Sequence, residues 1–274
     1  AAVDLFVPLR IRLDVGDAVR RQPQELSIPA SWAQGRASFG GLVAALQFEA
    51  MRAKVPTDRA VRSLAITFVG PVEPEVPVSF EVDVLREGKA VSQVLGRVMQ
   101  RGQVVTLIQG SFGASRPSEV AVNAERAPEM KHWDECQELP FVEGVIPEFM
   151  RHLALRWGIG GLPFSGSTSR QMGGWVRLRG DEAEEAVSEA HILALVDAWP
   201  PAVLPFLKKP AMGSTLTWTI EFVQPLLELS ALAWCKYLVE TEYAADGYGH
   251  AAAKLWSADG RLIAMSRQTV TVFA

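Results

Sequence analysis

Polar and apolar residues alternate along several short stretches of the chain, most clearly over residues 78–86. There Phe80, Val82 and Val84 alternate with Ser79 and other polar side chains. A period of two places successive side chains on opposite faces of a strand. The pattern therefore predicts a strand with one face packed and the other in water.

Each half of the chain contains two such strands separated by turn-forming residues. In the first half the predicted order is a strand at 78–86, a turn at 86–89, a strand at 90–100 and a turn at 101–102. In the second half it is a strand at 232–242, a turn around 246–247, a strand at 249–256 and a turn at 258–260. Short strands joined by glycine-containing turns are typical of antiparallel sheets.

Residues 39–54 show a helical period instead, which predicts a helix ahead of the first group of strands. The apolar stripe of this helix consists of Leu42, Val43, Leu46 and Met51, and its polar end carries Glu49, Arg52 and Lys54. A second helix is expected within residues 190–207, in the same position relative to the second group of strands.

Two stretches of the first half recur in the second half in the same order. Residues 62–71 (RSLAITFVGP) match 216–225 (LTWTIEFVQP) at an offset of 154 (225 minus 71). Residues 102–112 (GQVVTLIQGSF) match 260–270 (GRLIAMSRQTV) at an offset of 158 (260 minus 102). Two matches in order, each preceded by a helix, indicate a duplication.

The duplication predicts an α+β protein made of two helix-plus-antiparallel-sheet repeats, joined edge to edge into one continuous sheet. We expect an N-terminal repeat at 1–114, a linker rich in Ser, Pro, Ala and Glu at 115–129, and a C-terminal repeat at 130–274. Residues 130–179 should hold the opening strands of the second repeat, with a Gly/Ser loop at 158–169.

The second predicted helix contains one carboxylate, Asp197, in an otherwise apolar run that also holds Pro200 and Pro201. Because proline fits the first turn of a helix, we expect a helix to begin near Asp197, or a longer one to kink there. An acid at such a start is explained by capping. An acid within an apolar run also suits catalysis, since a buried charge is unfavourable unless it is used.

Composition excludes several classes of protein. With 49% hydrophobic and 21% charged residues the chain is an ordinary globular one, and its net charge of −4 attracts neither nucleic acid nor an anionic membrane. Cys136 and Cys235 are the only cysteines, which favours a reducing, cytoplasmic location, although one disulfide stays possible. The first fifteen residues lack the pattern of a signal peptide.

Motif searches also narrow the chemistry. The chain has no dinucleotide-binding glycine pattern, no phosphate-binding Gly-Lys-Ser/Thr loop and no Gly-x-Ser-x-Gly elbow. Its four histidines lack metal-ligand spacing, so no metal and no cofactor are predicted. These are His132, His152, His191 and His250.

Three stretches of the first half carry a family resemblance: GRASFGG at 35–41, residues 62–71, and the strand end at 110–112. With three positions of the second half, they resemble the acyl-CoA thioesterases with a double hotdog fold, the thioesterase II-like family, over nearly the whole chain. That family has an Asp in the second hotdog helix, a Ser or Thr on the following strand and a Gln on the last strand. The matching positions are Asp197, Thr219 and Gln268.

The resemblance implies hydrolysis of acyl-CoA, or of a related carrier thioester, without a cofactor and in a homo-oligomer. The family's Leu-Asp-His stretch is Leu216, Thr217, Trp218 here, which leaves open whether Thr217 or Thr219 is the hydroxyl. The residues expected to contact substrate are Phe39, Gly40, Gly41, Thr217 and Trp199.

The residues suit this chemistry. Asp197 can act as the base that deprotonates water or as a nucleophile, while Thr219 and Gln268, which both donate and accept hydrogen bonds, can orient the water. Backbone N–H groups at Gly40 and Gly41 can polarise the thioester carbonyl.

The repeat offsets give an independent comparison, because they match each candidate in the second half with an unreactive residue in the first. Thr219 falls on Ala65, Gln268 on Gly110, and Asp197 on Val43 or, with a two-residue gap, on Gly41. One functional site per duplicated chain is therefore predicted.

Two other functions stay open from sequence. One is a non-catalytic module that binds acyl groups in the same pocket. The other is a hydratase on the same scaffold, but that family places a His five residues after its Asp, and position 202 is Ala.

Overall fold

The computed structural model describes residues 26–180 and 185–274, and the predicted absence of a signal peptide concerns residues outside these ranges. Within them, one twelve-stranded antiparallel sheet carries two helices, α1 (Gly40–Arg52) and α2 (Glu189–Asp197). The α+β prediction of two helix-plus-sheet repeats in one continuous sheet is confirmed.

The strands of the first half bracket α1. They are β1 (Leu26–Ser27), β2 (Ala33–Gln34), β3 (Ala37–Ser38), β4 (Arg59–Phe68), β5 (Pro77–Glu87), β6 (Val91–Gln100) and β7 (Gln103–Ala114). Strands β2 and β3 form a separate hairpin just before α1. The predicted turn after β6 is present, and Arg101 and Gly102 both adopt positive φ there.

The strands of the second half bracket α2 in the same way. They are β8 (Gln137–Glu138), β9 (Leu153–Ile159), β10 (Gln171–Leu178), β11 (Met212–Phe222), β12 (Cys235–Ala245), β13 (Tyr248–Ser257) and β14 (Leu262–Phe273). Asp246 and Gly247 form the predicted turn between β12 and β13 with positive φ. The predicted strand at 232–242 begins and ends three residues later than expected.

The two halves meet where β4 pairs with β11, so the sheet order is β1-β5-β6-β7-β4-β11-β14-β13-β12-β10-β9-β8. Ala65 lies opposite Thr219, the residue to which the 154 offset assigns it. The local twofold axis of the duplication therefore passes between these two residues. Gln109 and Arg267, their neighbours on β7 and β14, are 158 apart (267 minus 109), as the second sequence match requires.

Helix α1 is buried on nearly every side rather than along one stripe. Leu42, Val43, Leu46 and Met51 are at most 2% exposed, and so is Phe48 on another side of the helix. The apolar stripe was correctly located, but it understated the burial because α1 is covered by its own sheet and by α2. Each fully buried side chain of this size contributes about 1.5–3 kcal/mol.

Helices α1 and α2 run antiparallel, since the start of α1 touches the end of α2. A Cβ built on Gly41 would lie 3.0 Å from the Asp197 Cβ. At the opposite ends, Glu189 and Arg52 are close enough to interact electrostatically.

The segment between the repeats covers the second half of the sheet on the face turned away from α2. The Trp256 indole donates to the Glu125 carbonyl at 3.4 Å, and the Trp175 indole donates to the Lys131 carbonyl at 2.9 Å. Along the same path the Ala127 N–H donates to the Gly260 carbonyl. The predicted linker is therefore held against the sheet.

The sequence left one disulfide possible, but Cys136 and Cys235 are both free and buried, so they do not form one. In the ranges that the structure describes, no helix has the length and apolar character needed to cross a membrane.

Candidate functional site

Asp197 is the last residue of α2, and the helix stops ahead of Pro200 and Pro201. The expectation that a helix begins or kinks at Asp197 is therefore wrong. The run from Glu189 supplies the helical turns, and the paired prolines end the helix because they cannot continue its hydrogen bonding. Ending there places the Asp197 side chain beside the first turn of α1.

The Asp197 carboxylate accepts hydrogen bonds from both halves of the molecule. The Gln268 Nε2 on β14 donates to Asp197 Oδ1 at 2.9 Å. The Gly41 backbone N–H donates to the same carboxylate. Two of the predicted residues, Asp197 and Gln268, are thus brought into direct contact, 71 residues apart in the chain.

Asp197 does cap a helix, but the helix belongs to the other repeat. Phe39, at the N-cap of α1, makes no side-chain capping hydrogen bond, so the first N–H groups of α1 need other acceptors. The Asp197 carboxylate is one such acceptor, and its negative charge suits the positive end of the α1 dipole. The capping hypothesis is corrected in this respect: the contact is tertiary.

Burial raises the pKa of Asp197 to about 7, while the hydrogen bonds from Gln268 and Gly41 act in the opposite direction. Burial dominates because few polar groups replace the water around the charge. The residue nevertheless keeps an intermediate exposure, so solvent reaches part of it. Because its pKa lies near 7, the carboxyl group takes up and releases a proton near neutral pH, which suits a general base.

Gly40 and Gly41 allow α1 to approach this carboxylate. A Cβ on Gly40 would lie 3.0 Å from Asp197 Oδ2 and 3.0 Å from the Phe68 ring. A Cβ on Gly41 would lie 2.6 Å from the Phe39 ring. Both glycines therefore open the helix as predicted, because a side chain at either position would push the two helices apart.

Phe39, which precedes the two glycines, packs in the core next to the site. It is fully buried, and its ring stacks on Phe149 at a centroid distance of 4.1 Å. The expectation that Phe39 contacts substrate is corrected, because this ring is enclosed between the two repeats. Its role here is to fix where α1 begins.

The structure does not bring Thr219 or Thr217 to Asp197. Trp218 on β11 lies opposite Gln268 on β14, so the two side chains are on the same face of the sheet. Trp218 belongs to the hydrophobic core, so this is the inner face, the one that packs on the helices. Thr219 and Thr217 are its neighbours in the chain and point to the outer face, where Thr217 is exposed. Both expectations are corrected on this geometry.

Thr215, which was not among the predicted site residues, places a hydroxyl on the inner face of the sheet. A β-bulge separates Thr215 from Thr217, and Thr215 lies opposite Val270, a buried residue of the inner face. One extra residue in a strand reverses which face the following side chains occupy. Thr215 is consequently on the face that carries Gln268. Counting by twos correctly places Thr217 and Thr219 on one face, but it does not reveal the bulge that puts Thr215 on the other.

A cavity of about 20 Å³ opens next to Gln268, between α2 and the inner face of β12, β13 and β14. Trp199, predicted to contact substrate, lines it, and its ring stacks on Tyr237 at 5.0 Å. Gly40, Gly41 and Thr217 do not line this cavity.

The corresponding region of the first half is filled. A Cβ on Gly110, the counterpart of Gln268, would lie 2.8 Å from Met51 of α1. The helices begin 149 residues apart (189 minus 40), which pairs Asp197 with Phe48 rather than with Val43 or Gly41. The earlier pairing of Asp197 is thus corrected, while the prediction that its counterpart is unreactive still holds.

Comparison with known families identifies the fold and the chemistry. The model of the acyl-CoA thioesterase N-terminal domain matches residues 28–113, and that of the acyl-CoA thioesterase C-terminal domain matches residues 127–272. The chain belongs to the acyl-CoA thioesterase family. This thioesterase therefore has the double hotdog fold, and thioester hydrolysis is favoured over a non-catalytic acyl-binding role.

Relatives extend over almost the full length of this thioesterase. Acyl-CoA thioesterase 2 of Haemophilus influenzae is 26% identical over 251 residues, covering 85% of this chain and 86% of that protein. Two solved structures share the fold. A hot dog protein of unknown function from Alicyclobacillus acidocaldarius has a TM-score of 0.79 at 23% identity, covering 95% of this chain and 98% of that one. Acyl-CoA thioesterase II TesB2 from Mycobacterium marinum has a TM-score of 0.68 at 17% identity, covering 93% and 98%.

His152 is buried, stacks on Trp32 at 3.9 Å and has its pKa lowered to about 4 by that burial, so it is neutral at physiological pH. Among the residues that the structure describes, no cluster of His, Cys, Asp and Glu has the arrangement of a metal site.

Proposed function

We propose that this thioesterase hydrolyses acyl-CoA with a water molecule that Asp197 deprotonates. The observation that carries the proposal is the contact between Asp197 and Gln268, in which a carboxylate with a pKa near 7 is held by a neutral amide. A base whose pKa lies near the working pH is largely unprotonated and still basic enough to take a proton from water. An acyl-CoA substrate is supported by membership of the family.

In this proposal Gln268 and Thr215 orient the water. The Gln268 Nε2 donates to Asp197. The Oε1 of the same amide is an acceptor and can receive a hydrogen bond from water. The Thr215 hydroxyl adds a second orienting group from β11. The Gly40 N–H, at the start of α1, polarises the thioester carbonyl and stabilises the oxyanion that forms there.

The steps then follow from charge. Water attacks the carbonyl carbon while its proton moves to Asp197, and a tetrahedral oxyanion forms. When this intermediate collapses, the carbon–sulfur bond breaks and CoA leaves as a thiolate, which takes up the proton that Asp197 had accepted from water. The acid is released and Asp197 returns to its charged form. We infer a base rather than a nucleophile because the carboxylate is already fixed by Gln268 and Gly41.

We predict that kcat/KM rises with pH and reaches half of its plateau near pH 7, where Asp197 ionises. Below this pH the rate should fall about tenfold per unit, since only the charged carboxylate accepts a proton. Initial rates on butyryl-CoA in constant-ionic-strength buffers, corrected for hydrolysis without enzyme, measure the profile. A rate independent of pH between about 5 and 8 would contradict Asp197 as the base.

We also predict opposite outcomes for two threonines of one strand. Thr215→Val should lower kcat about tenfold to a hundredfold, because the branched shape stays and an orienting hydroxyl is lost. Thr219→Val, the matched change on the outer face, should leave kcat near the wild-type value. Steady-state kinetics of both variants decide the assignment, and a loss confined to Thr219→Val would restore the sequence-based choice.

Association into a homo-oligomer and a cytoplasmic location stay predictions. The first is tested by sedimentation velocity, where a single monomeric species would contradict it. The second is tested by fractionating cells that make the protein, where recovery outside the cytoplasmic fraction would contradict it.

A further inference from the structure

The cavity beside Gln268 exists because α2 is shorter than α1. Helix α1 has 13 residues and α2 has 9. Aligning their first residues pairs Met51, which fills the first repeat, with Pro200 at the edge of the cavity. The early end of α2 thus leaves a space over β13, where the inner face carries only Gly249, Ala251 and Ala253.

The space is small. Its volume is about 20 Å³, whereas a cavity that holds a benzene ring measures roughly 150 Å³, so even a short acyl group requires the pocket to widen. Val203 packs directly on Gly249, where an added Cβ would lie 2.4 Å from the valine Cγ1. This contact limits how far an acyl chain reaches along β13.

Trp199, which lines the cavity, has a hydrogen-bond donor without an acceptor. Trp199 is 6% exposed, and no described residue accepts a hydrogen bond from its buried indole N–H. The neighbouring Trp157, which packs on Trp199 at 5.1 Å, donates its own N–H to the Gly160 carbonyl. A buried donor without a partner is destabilising, and at the lining of a cavity a ligand oxygen can satisfy it.

The other polar groups of the cavity lie near this donor. Tyr237 stacks face to face on Trp199, with an interplanar angle of 6°. The Ser266 hydroxyl accepts a hydrogen bond from the Trp218 indole at 2.8 Å and keeps its own proton to donate. Together with Gln268, these groups make the pocket more polar than a plain acyl chain requires.

We propose that the pocket selects a short acyl group that carries an oxygen, as a hydroxyl or carbonyl, and that the Trp199 indole N–H binds this oxygen. The selection rests on the proposed function, because it assumes that the acyl group enters beside Gln268. An indole N–H only donates, so its partner must be an acceptor. A site built around such a donor discriminates against the analogue that lacks the acceptor, because the donor is then left unpaired.

The test compares binding of 3-hydroxybutyryl-CoA and butyryl-CoA, which differ in one oxygen. Calorimetry on the Asp197→Asn protein, in which the proposed base is absent, measures both dissociation constants without turnover. We expect 3-hydroxybutyryl-CoA to bind about tenfold more tightly, and dodecanoyl-CoA to bind no better than butyryl-CoA. In the Trp199→Phe background the ratio should approach one, since ring stacking on Tyr237 stays and the indole N–H is lost.

Trp157→Phe is the matched control, because it removes an indole N–H that already has an acceptor; the tenfold ratio should persist. A ratio near one in the parent protein overturns the inference, and so does a ratio unchanged by Trp199→Phe, or tightest binding of dodecanoyl-CoA. Failure of the proposed function is seen separately, as absence of hydrolysis by the wild type while the binding ratio persists.

Discussion

Replacing Asp197 with asparagine should remove nearly all thioester hydrolysis and, above neutral pH, make the protein more stable. Asparagine has almost the same shape and cannot take a proton from water. Loss of a general base lowers the rate by about a hundredfold to ten-thousandfold. We therefore expect kcat of Asp197→Asn to fall by roughly a thousandfold with little change in KM.

The gain in stability follows from the direction of the pKa shift. Asp197 has a pKa of 3.8 in the unfolded chain and about 7 in the folded one. The folded state thus holds the proton more tightly, and this contribution to stability is fully present below pH 3.8 and is lost as the pH rises to 7. Above that pH the charged side chain lowers the free energy of unfolding by an amount on the order of 3 kcal/mol, allowing for its partial exposure.

Asparagine is free of this penalty and can keep both hydrogen bonds. Its carbonyl accepts from the Gly41 N–H, and its amide donates to Gln268 once the glutamine amide rotates by half a turn. The Tm of Asp197→Asn should therefore exceed that of the wild type by about 5–10 °C near pH 8. The difference should shrink steadily as the pH is lowered from 7 toward 4.

Differential scanning calorimetry across this pH range measures the effect, with circular dichroism as a check that the fold is retained. Asp83→Asn is the matched control, because Asp83 lies on the surface and pairs with Arg97 there. Its Tm should follow the wild type at every pH. Equal stability of Asp197→Asn and wild type at pH 8 would mean that the carboxylate is better solvated than its surroundings indicate.

The fold was predictable because its signals are local and repeated. Alternation over 78–86, turn residues such as Asp246 and Gly247, and the helical period before β4 each depend on neighbours in the chain. The duplication then supplied what local patterns lack, because the pairing of Ala65 with Thr219 joins the two halves at the position that the 154 offset requires.

The site was less predictable because it depends on contacts between distant residues. Asp197 and Gln268 were found by their resemblance to a family pattern, but the Gly41 N–H that binds the same carboxylate comes from the other repeat. A single bulge between Thr215 and Thr217 reversed the faces of β11, and periodicity does not reveal such an insertion. Asp197 was predicted to start a helix or to mark a kink but is the last residue of α2, because proline occurs both in the first turn of a helix and just beyond its end.

Replacing Gly41 with alanine should lower kcat about a hundredfold while changing the free energy of unfolding by less than about 2 kcal/mol. The added methyl group would lie 2.6 Å from the Phe39 ring and 3.0 Å from the Asp197 Cβ. Alanine favours the helix by up to about 1 kcal/mol over glycine, which offsets part of this crowding. The carboxylate itself must move away from the Gly41 N–H, and a displacement of about 1 Å is enough for such a loss of rate.

The pH profile separates this displacement from a general structural defect. The Gly41 N–H lowers the pKa of Asp197, so weakening that hydrogen bond should move the midpoint of the profile to higher pH. Gly70→Ala is the control, because an added Cβ there meets no atom within 4 Å and should leave both kcat and the midpoint unchanged. If Gly41→Ala kept the wild-type kcat and midpoint, the first turn of α1 would not be positioning Asp197, and the proposal would have to place the base elsewhere.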